Sequence, residues 1–119
     1  MTAFLSNDRS GLRLQVSGAL DGEGALALRP MLEQVVTATT GDVVLDMAGV
    51  GLIDGCGVGA VAFLFKRLAA QGRALKVVGA TAQPLAMFRK LRLGHVLGLP
   101  APARRGFGFA AALGFARVA

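Results

Sequence analysis

The chain has 119 residues, 54% of them hydrophobic, and a mean hydropathy of +0.59, which favours a single globular domain over residues 1–119. No uncharged run reaches the ~18 residues of a transmembrane helix, and the N-terminus lacks the pattern of a signal peptide, so we expect a cytoplasmic protein. A single cysteine, Cys56, excludes an internal disulfide framework and a cysteine metal cluster.

The net charge of +6 is distributed unevenly. All seven acids lie in the first 54 residues, which carry only three arginines and therefore a charge of −4. Residues 55–119 contain ten Lys or Arg and no acid. Such a field can attract an acidic protein or an anionic membrane surface, although a solvated basic face is the simpler interpretation. Seven Phe without Trp or Tyr give little support for stacking on bases, so no nucleic-acid partner is expected.

The first part of the chain predicts a strand followed by a helix. Leu12, Leu14 and Val16 alternate with polar residues, which is typical of a strand with one buried face, and residues 18–22 are predicted to close it as a turn. Apolar residues between positions 25 and 37 follow helical spacing. Pro30 lies either in the first turn of a helix that begins near Arg29 or at a kink.

The central stretch, residues 43–59, predicts a buried strand, a tight glycine-rich loop and the first turn of an apolar helix. Val43-Val44-Leu45 is typical of a strand covered on both faces. Asp54 is predicted to cap the helix, whose apolar stripe continues to Leu68 and which Gly72 is placed to end.

The last third predicts a strand over residues 75–79 and a helix capped by Thr81, with Pro84 in its first turn. Leu85, Phe88 and Leu91 are expected to face inward. Residues 98–119 predict a final strand or loop and a short helix. Strands that alternate with helices imply an α/β fold with parallel neighbouring strands.

In order and spacing these elements resemble the STAS domain, which bacterial anti-sigma factor antagonists share with the cytoplasmic tails of sulfate transporters. The matching features are Leu20-Asp21 at a turn, Val-Val-Leu-Asp46 in the central strand, and Asp54-x-x-Gly57-Val58 before the second long helix. The resemblance covers roughly residues 10–97. It implies a mixed sheet of four or five strands with about four packed helices.

In the regulatory members of that family, Asp-Ser-Ser-Gly follows the central strand, and a cognate kinase phosphorylates the first serine. Aligned on Asp54 and Gly57, this chain has Gly55 at the phosphoacceptor position and Cys56 at the second serine. No Ser or Thr occurs between positions 47 and 80. A phosphoserine would add about −1.5 to −2 charges to a docking surface. We therefore predict that any switching does not use phosphorylation at this loop.

The resemblance also implies a partner-binding surface at the start of the second helix. Its candidate residues are Asp21, Asp54, Gly55, Cys56, Gly57 and Val58. Each of these residues also has a simpler structural alternative. Asp54 is then only a helix cap, and Asp21 caps the first helix and does not lie on the docking face. The glycines then only set the loop conformation and do not serve the close approach of another backbone. A helix N-terminus favours a thiolate, so Cys56 is either a redox-sensing thiol or a small replacement for serine.

The leading hypothesis is a non-enzymatic interaction module that binds an anti-sigma factor or a kinase-like protein. The alternative is a small cytoplasmic STAS subunit of a lipid-transport ABC ATPase complex, near a membrane but without a span, which the basic bias and the apolar residues 106–113 favour. No carboxylate pair, metal spacing or P-loop supports an enzyme, and His95 is the only histidine. No cofactor is expected.

Overall fold

The computed structural model describes residues 1–8, 11–94 and 96–99. His95 lies outside the described residues. So do residues 100–119, which make up most of the segment predicted as a final strand or loop and a short helix. The elements are β1 (Thr2–Asp8), β2 (Gly11–Leu20), α1 (Gly22–Ala38), β3 (Val43–Ile53), α2 (Gly55–Ala70), β4 (Leu75–Val78) and α3 (Ala82–Lys90). The α/β prediction is confirmed, with three helices in this part of the chain where about four were expected.

The four strands form one mixed sheet in the order β1-β2-β3-β4. β1 is antiparallel to β2, whereas β2, β3 and β4 are parallel neighbours joined by helical crossovers. β1 was not predicted, because Ala3 and Leu5 give a period-two signal too short and too weakly apolar to stand out.

The core lies between one face of the sheet and the helices. Leu14, Leu45 and Val77 form a buried row across three strands, with 0%, 2% and 1% of their surface exposed. The opposite face of the sheet carries no buried side chain on β2, β3 or β4 within the described residues. Val44 on that face is only half-buried, so the prediction that this strand is covered on both faces is wrong.

The strands β2 and β3 run further than predicted. β2 continues to Leu20, so residues 18–20 belong to the strand and not to a turn, and β3 continues to Ile53. Register shifts between the two strands and a φ of +105° at Gly18 accommodate the glycines. Pairing between neighbouring strands thus overrides the local preference of glycine for loops. Only Asp54 separates β3 from α2.

The helix α1 begins at Gly22, not near Arg29, and it continues through Pro30. The proline is exposed, so water can bond the Leu26 carbonyl that loses its helical donor. The helix α2 ends at Ala70, two residues before Gly72, whose φ of +73° suits the end of a helix, as predicted.

The helix α3 starts directly after Thr81, as predicted, and differs from the prediction in two respects. Thr81 is the N-cap residue, but its side chain makes no capping hydrogen bond. Phe88 is fully buried, whereas Leu91 is 48% exposed because the helix ends at Lys90. After α3 the chain returns to the sheet, where the Leu97 carbonyl accepts a hydrogen bond from the Val77 N–H at 2.8 Å.

Candidate functional site

Two helix N-termini lie side by side at the carboxyl ends of the parallel strands β2 and β3. Leu20 and Ile53 are register partners at the ends of the parallel strands β2 and β3. The residue that directly follows each strand, Asp21 or Asp54, is the N-cap of the next helix. The positive ends of two helix dipoles therefore lie next to each other at the carboxyl ends of these strands.

Both aspartates cap their helices with one carboxylate oxygen. Oδ1 of Asp21 accepts from the Gly24 N–H at 2.8 Å. Oδ1 of Asp54 accepts from the N–H groups of Cys56 and Gly57 at 2.9 and 3.1 Å. The predicted caps are confirmed, and Asp21 follows the adjacent strand at the position equivalent to Asp54.

The two N-termini share the pattern Asp-Gly-x-Gly, at residues 21–24 and 54–57. The second glycine of each pattern is buried against the backbone of β2. A Cβ on Gly24 would lie 2.1 Å from the Ala19 carbonyl oxygen, and one on Gly57 would lie 2.0 Å from that of Leu20. This repeat was not predicted, although its equal spacing is visible in the sequence.

The predicted site residues divide into exposed and supporting positions. Gly55 and Cys56 are exposed, and a Cβ on Gly55 would meet no atom within 4 Å. Asp54 and Val58 are half-buried. Gly57 is buried, so it sets how closely α2 approaches β2 and offers no surface to a partner.

A groove of about 240 Å³ runs between α1 and α2 beside these N-termini. It is lined mainly by small side chains and glycines, with two larger apolar groups and one arginine: Gly22, Ala25, Leu26, Arg29, Cys56, Gly59, Ala60 and Phe63. Leu26 is 73% exposed at its margin. Leu26, Arg29 and Phe63 were not predicted as site residues, because the groove depends on how the two helices pack.

Charge changes sign along the groove. The acidic caps lie at the helix N-termini, and arginines lie further along both helices. The guanidinium carbon of Arg29 is 4.6 Å from the centroid of the Phe63 ring, and that of Arg67 is 5.3 Å away. Arg67 also pairs with Glu33 at 3.2 Å, whereas Arg29 has no carboxylate partner among the described residues.

Gln83 of α3 holds the end of β3 in place. Its side-chain oxygen accepts from the Ile53 N–H at 2.8 Å, and its side-chain nitrogen donates to the Ile53 carbonyl at 2.9 Å. The strand β4 is too short to reach Ile53, so the side-chain amide of Gln83 takes the hydrogen-bonding place of a neighbouring strand there. The position of Asp54, the next residue, depends on this contact.

Within residues 1–8, 11–94 and 96–99, no three His, Cys, Asp or Glu side chains are grouped so that they could hold a metal ion. None of the helices in this described part is both long enough and apolar enough to cross a membrane.

The chain thus forms a small α/β domain in which two helix N-termini lie side by side at the carboxyl ends of the parallel strands. The chain belongs to the STAS family, because the family model described as "Mlab, STAS domain" matches residues 3–99. No curated protein matches the chain.

Three solved structures are similar. The anti-sigma factor antagonist SpoIIAA in its unphosphorylated form is 16% identical, with a TM-score of 0.62 over 78% of this chain and 84% of that one. SpoIIAA of Bacillus in its phosphorylated form is 17% identical, with a TM-score of 0.63 over 80% and 87%. A sulfate transporter family protein from Wolinella succinogenes is 21% identical, with a TM-score of 0.61 over 72% and 70%. These similarities confirm the predicted fold.

Proposed function

We propose that this chain is a non-enzymatic, cytoplasmic regulatory module that binds an anti-sigma factor or a kinase-like protein. It does so through a docking site formed by Asp21, Gly22, Asp54, Gly55, Cys56 and Val58 together with the groove between α1 and α2. The observation that carries the proposal is the placement of two exposed helix N-termini side by side against that groove.

The docking site suits contact with another protein. The absence of a side chain at Gly55, with open space above it, lets a partner backbone approach the first turn of α2. The groove accommodates an apolar side chain next to the exposed Leu26. Arg29, which has no carboxylate partner in the described part of the chain, can receive one from the partner.

Phosphorylation is excluded as a switch at this site. SpoIIAA has a phosphorylated and an unphosphorylated form. Here the residue after the capping aspartate is Gly55, and no Ser or Thr lies between positions 47 and 80. The module therefore stays competent to bind or is controlled by means other than phosphorylation of this loop. A phosphate found on residues 50–60 after incubation with the cognate kinase would refute this point.

The second candidate is a small STAS subunit of a lipid-transport ABC ATPase complex. The charge of residues 55–119, ten Lys or Arg without an acid, supports it, since a permanent place next to an anionic membrane surface would use that charge. Lys66 and Arg67 bring part of it to α2, the helix that begins at the docking site.

Affinity purification of the tagged chain from its own cells, followed by mass spectrometry, separates the two candidates. Recovery of an anti-sigma factor or kinase-like protein supports the first, and recovery of a transporter ATPase supports the second. A captured metabolic enzyme that turns over only with this chain bound would contradict both.

Calorimetry with the recovered partner then tests the docking site. Gly55→Asp adds one negative charge at an exposed position in the first turn of α2, where the helix dipole tolerates it. Burying that charge without a partner should weaken binding by about 10- to 100-fold. Gln34→Glu is the matched control, since it adds the same charge at an exposed position of α1 remote from the N-termini. Equal affinity of both variants would place the interface elsewhere.

A further inference from the structure

The strand β1 lies at one edge of the sheet and is paired on one side only. All seven of its residues, from Thr2 to Asp8, pair with β2. The N–H and C=O groups of alternate residues on its outer side have no strand partner within the described part of the chain. At the opposite edge, Leu97 already bonds β4. Among the described residues, β1 is therefore the long edge of this sheet that no other strand covers.

β1 lacks the features that usually prevent an edge strand from pairing with another chain. Residues 2–7 contain no charged residue and no proline. The register with β2 is continuous along the strand, without the shifts that occur between β2 and β3. A regular edge of seven residues, the first six of them uncharged, presents about 24 Å of strand to a partner.

The sequence of β1 is complementary to itself in an antiparallel arrangement. With Leu5 on a two-fold axis, Phe4 lies opposite Ser6 of the second copy, and Thr2 lies opposite Asp8, so no like charges meet. Leu5, which packs at the margin of the core, would then adjoin Leu5 of the second copy and extend the apolar layer.

The other face of the sheet gives the second contact. Phe4 points to this open face and is 63% exposed, an unusual position for an aromatic ring. In the same arrangement the two Phe4 rings are diagonal neighbours, about 7–8 Å apart, within reach of each other. Pairing would shield both rings from water.

We propose that two copies of this chain associate through antiparallel pairing of their β1 strands, which joins the two sheets into one continuous sheet of eight strands. The interface is symmetric, and its specificity comes from the paired backbone groups, the Leu5 contact and the Phe4 contact. This inference does not depend on the proposed docking function.

The test is the mass of the full chain in solution as a function of concentration, from ~1 µM to ~1 mM. Phe4→Lys places two ammonium groups next to each other in the dimer, while the side chain remains exposed in the monomer. Gln15→Lys is the matched control, because Gln15 lies opposite Phe4 on β2, is exposed and faces the same way.

The wild type and Gln15→Lys should shift from 12.2 kDa to twice that mass, and Phe4→Lys should need at least about tenfold more protein to do so. A wild type that keeps its monomer mass over the whole range overturns the proposal, as does a Phe4→Lys variant that dimerises like the wild type.

Hydrogen exchange of the β1 amides provides a second readout, which locates the interface. In the wild type, exchange of alternate amides in residues 2–8 should slow as concentration rises, and in Phe4→Lys it should not. A dimer without this protection overturns the proposal. Protection that is independent of concentration also overturns it, since the edge would then be covered by another part of the same chain.

Discussion

Replacing Gly57 by alanine places a methyl group where β2 and α2 leave no room for it. The new Cβ would lie 2.0 Å from the Leu20 carbonyl oxygen and 2.7 Å from Cγ1 of Ile53. The carbonyl cannot move away freely, because it accepts a hydrogen bond from the Asp54 N–H at 3.3 Å. The end of β2 and the start of α2 must therefore separate.

The cost follows from two opposing effects. Extra volume in a packed region costs about 1–3 kcal/mol, and contact with backbone places this case at the upper end. Alanine in a helix gains up to about 1 kcal/mol over glycine. The expected net loss is about 2 kcal/mol from the free energy of unfolding, a large part of the 5–15 kcal/mol typical of a domain.

Urea denaturation followed by circular dichroism measures this difference. Gly59→Ala is the control, since it makes the same change two residues later in α2, where the Cβ would meet no atom within 4 Å. That variant should be as stable as the wild type or more stable by up to about 1 kcal/mol. If Gly57→Ala unfolds at the urea concentration of the wild-type midpoint or above it, α2 does not approach β2 as closely as described.

Three further variants test other contacts of the fold and site. Asp54→Ala should lose about 1 kcal/mol of unfolding free energy while Asp54→Asn loses little; equal losses would mean that the cap hydrogen bonds contribute nothing. Gln83→Met, which can neither accept from the Ile53 N–H nor donate to the Ile53 carbonyl, should lose about 1–3 kcal/mol and speed exchange of the Ile53 amide, and an unchanged exchange rate would exclude the contact. A double-mutant cycle on Arg67 and Glu33 should give a coupling below about 1 kcal/mol, because the side chains are 41% and 44% exposed; a larger value would contradict the observed exposure.

Local chemistry made part of this fold predictable. Asp54 caps α2 as predicted, because the carboxylate of an aspartate directly before a helix accepts hydrogen bonds from the N–H groups of the first turn, which have no partner within the helix. Phe88 is buried as predicted, since its spacing from Pro84 fits one helical face. Such features depend on a few neighbouring residues only.

The features that were not predicted depend on distant parts of the chain. Gly49 and Gly51 favour a loop locally, yet β3 runs through them because β2 pairs alongside. The groove is formed by α1 and α2 together, so the position of Leu26 beside Phe63 cannot be derived from either helix alone. The candidate site was thus predicted at the N-terminus of α2 and not along the groove.

We expect the paired N-termini of α1 and α2 to form the contact surface. Nuclear magnetic resonance of the isotope-labelled chain, titrated with the unlabelled partner recovered from cells, tests it most directly. The largest amide shift changes are expected at Gly22, Gly55 and Cys56. Changes confined to the open face of the sheet, around Gln15 and Lys76, with Gly55 unmoved, would contradict it.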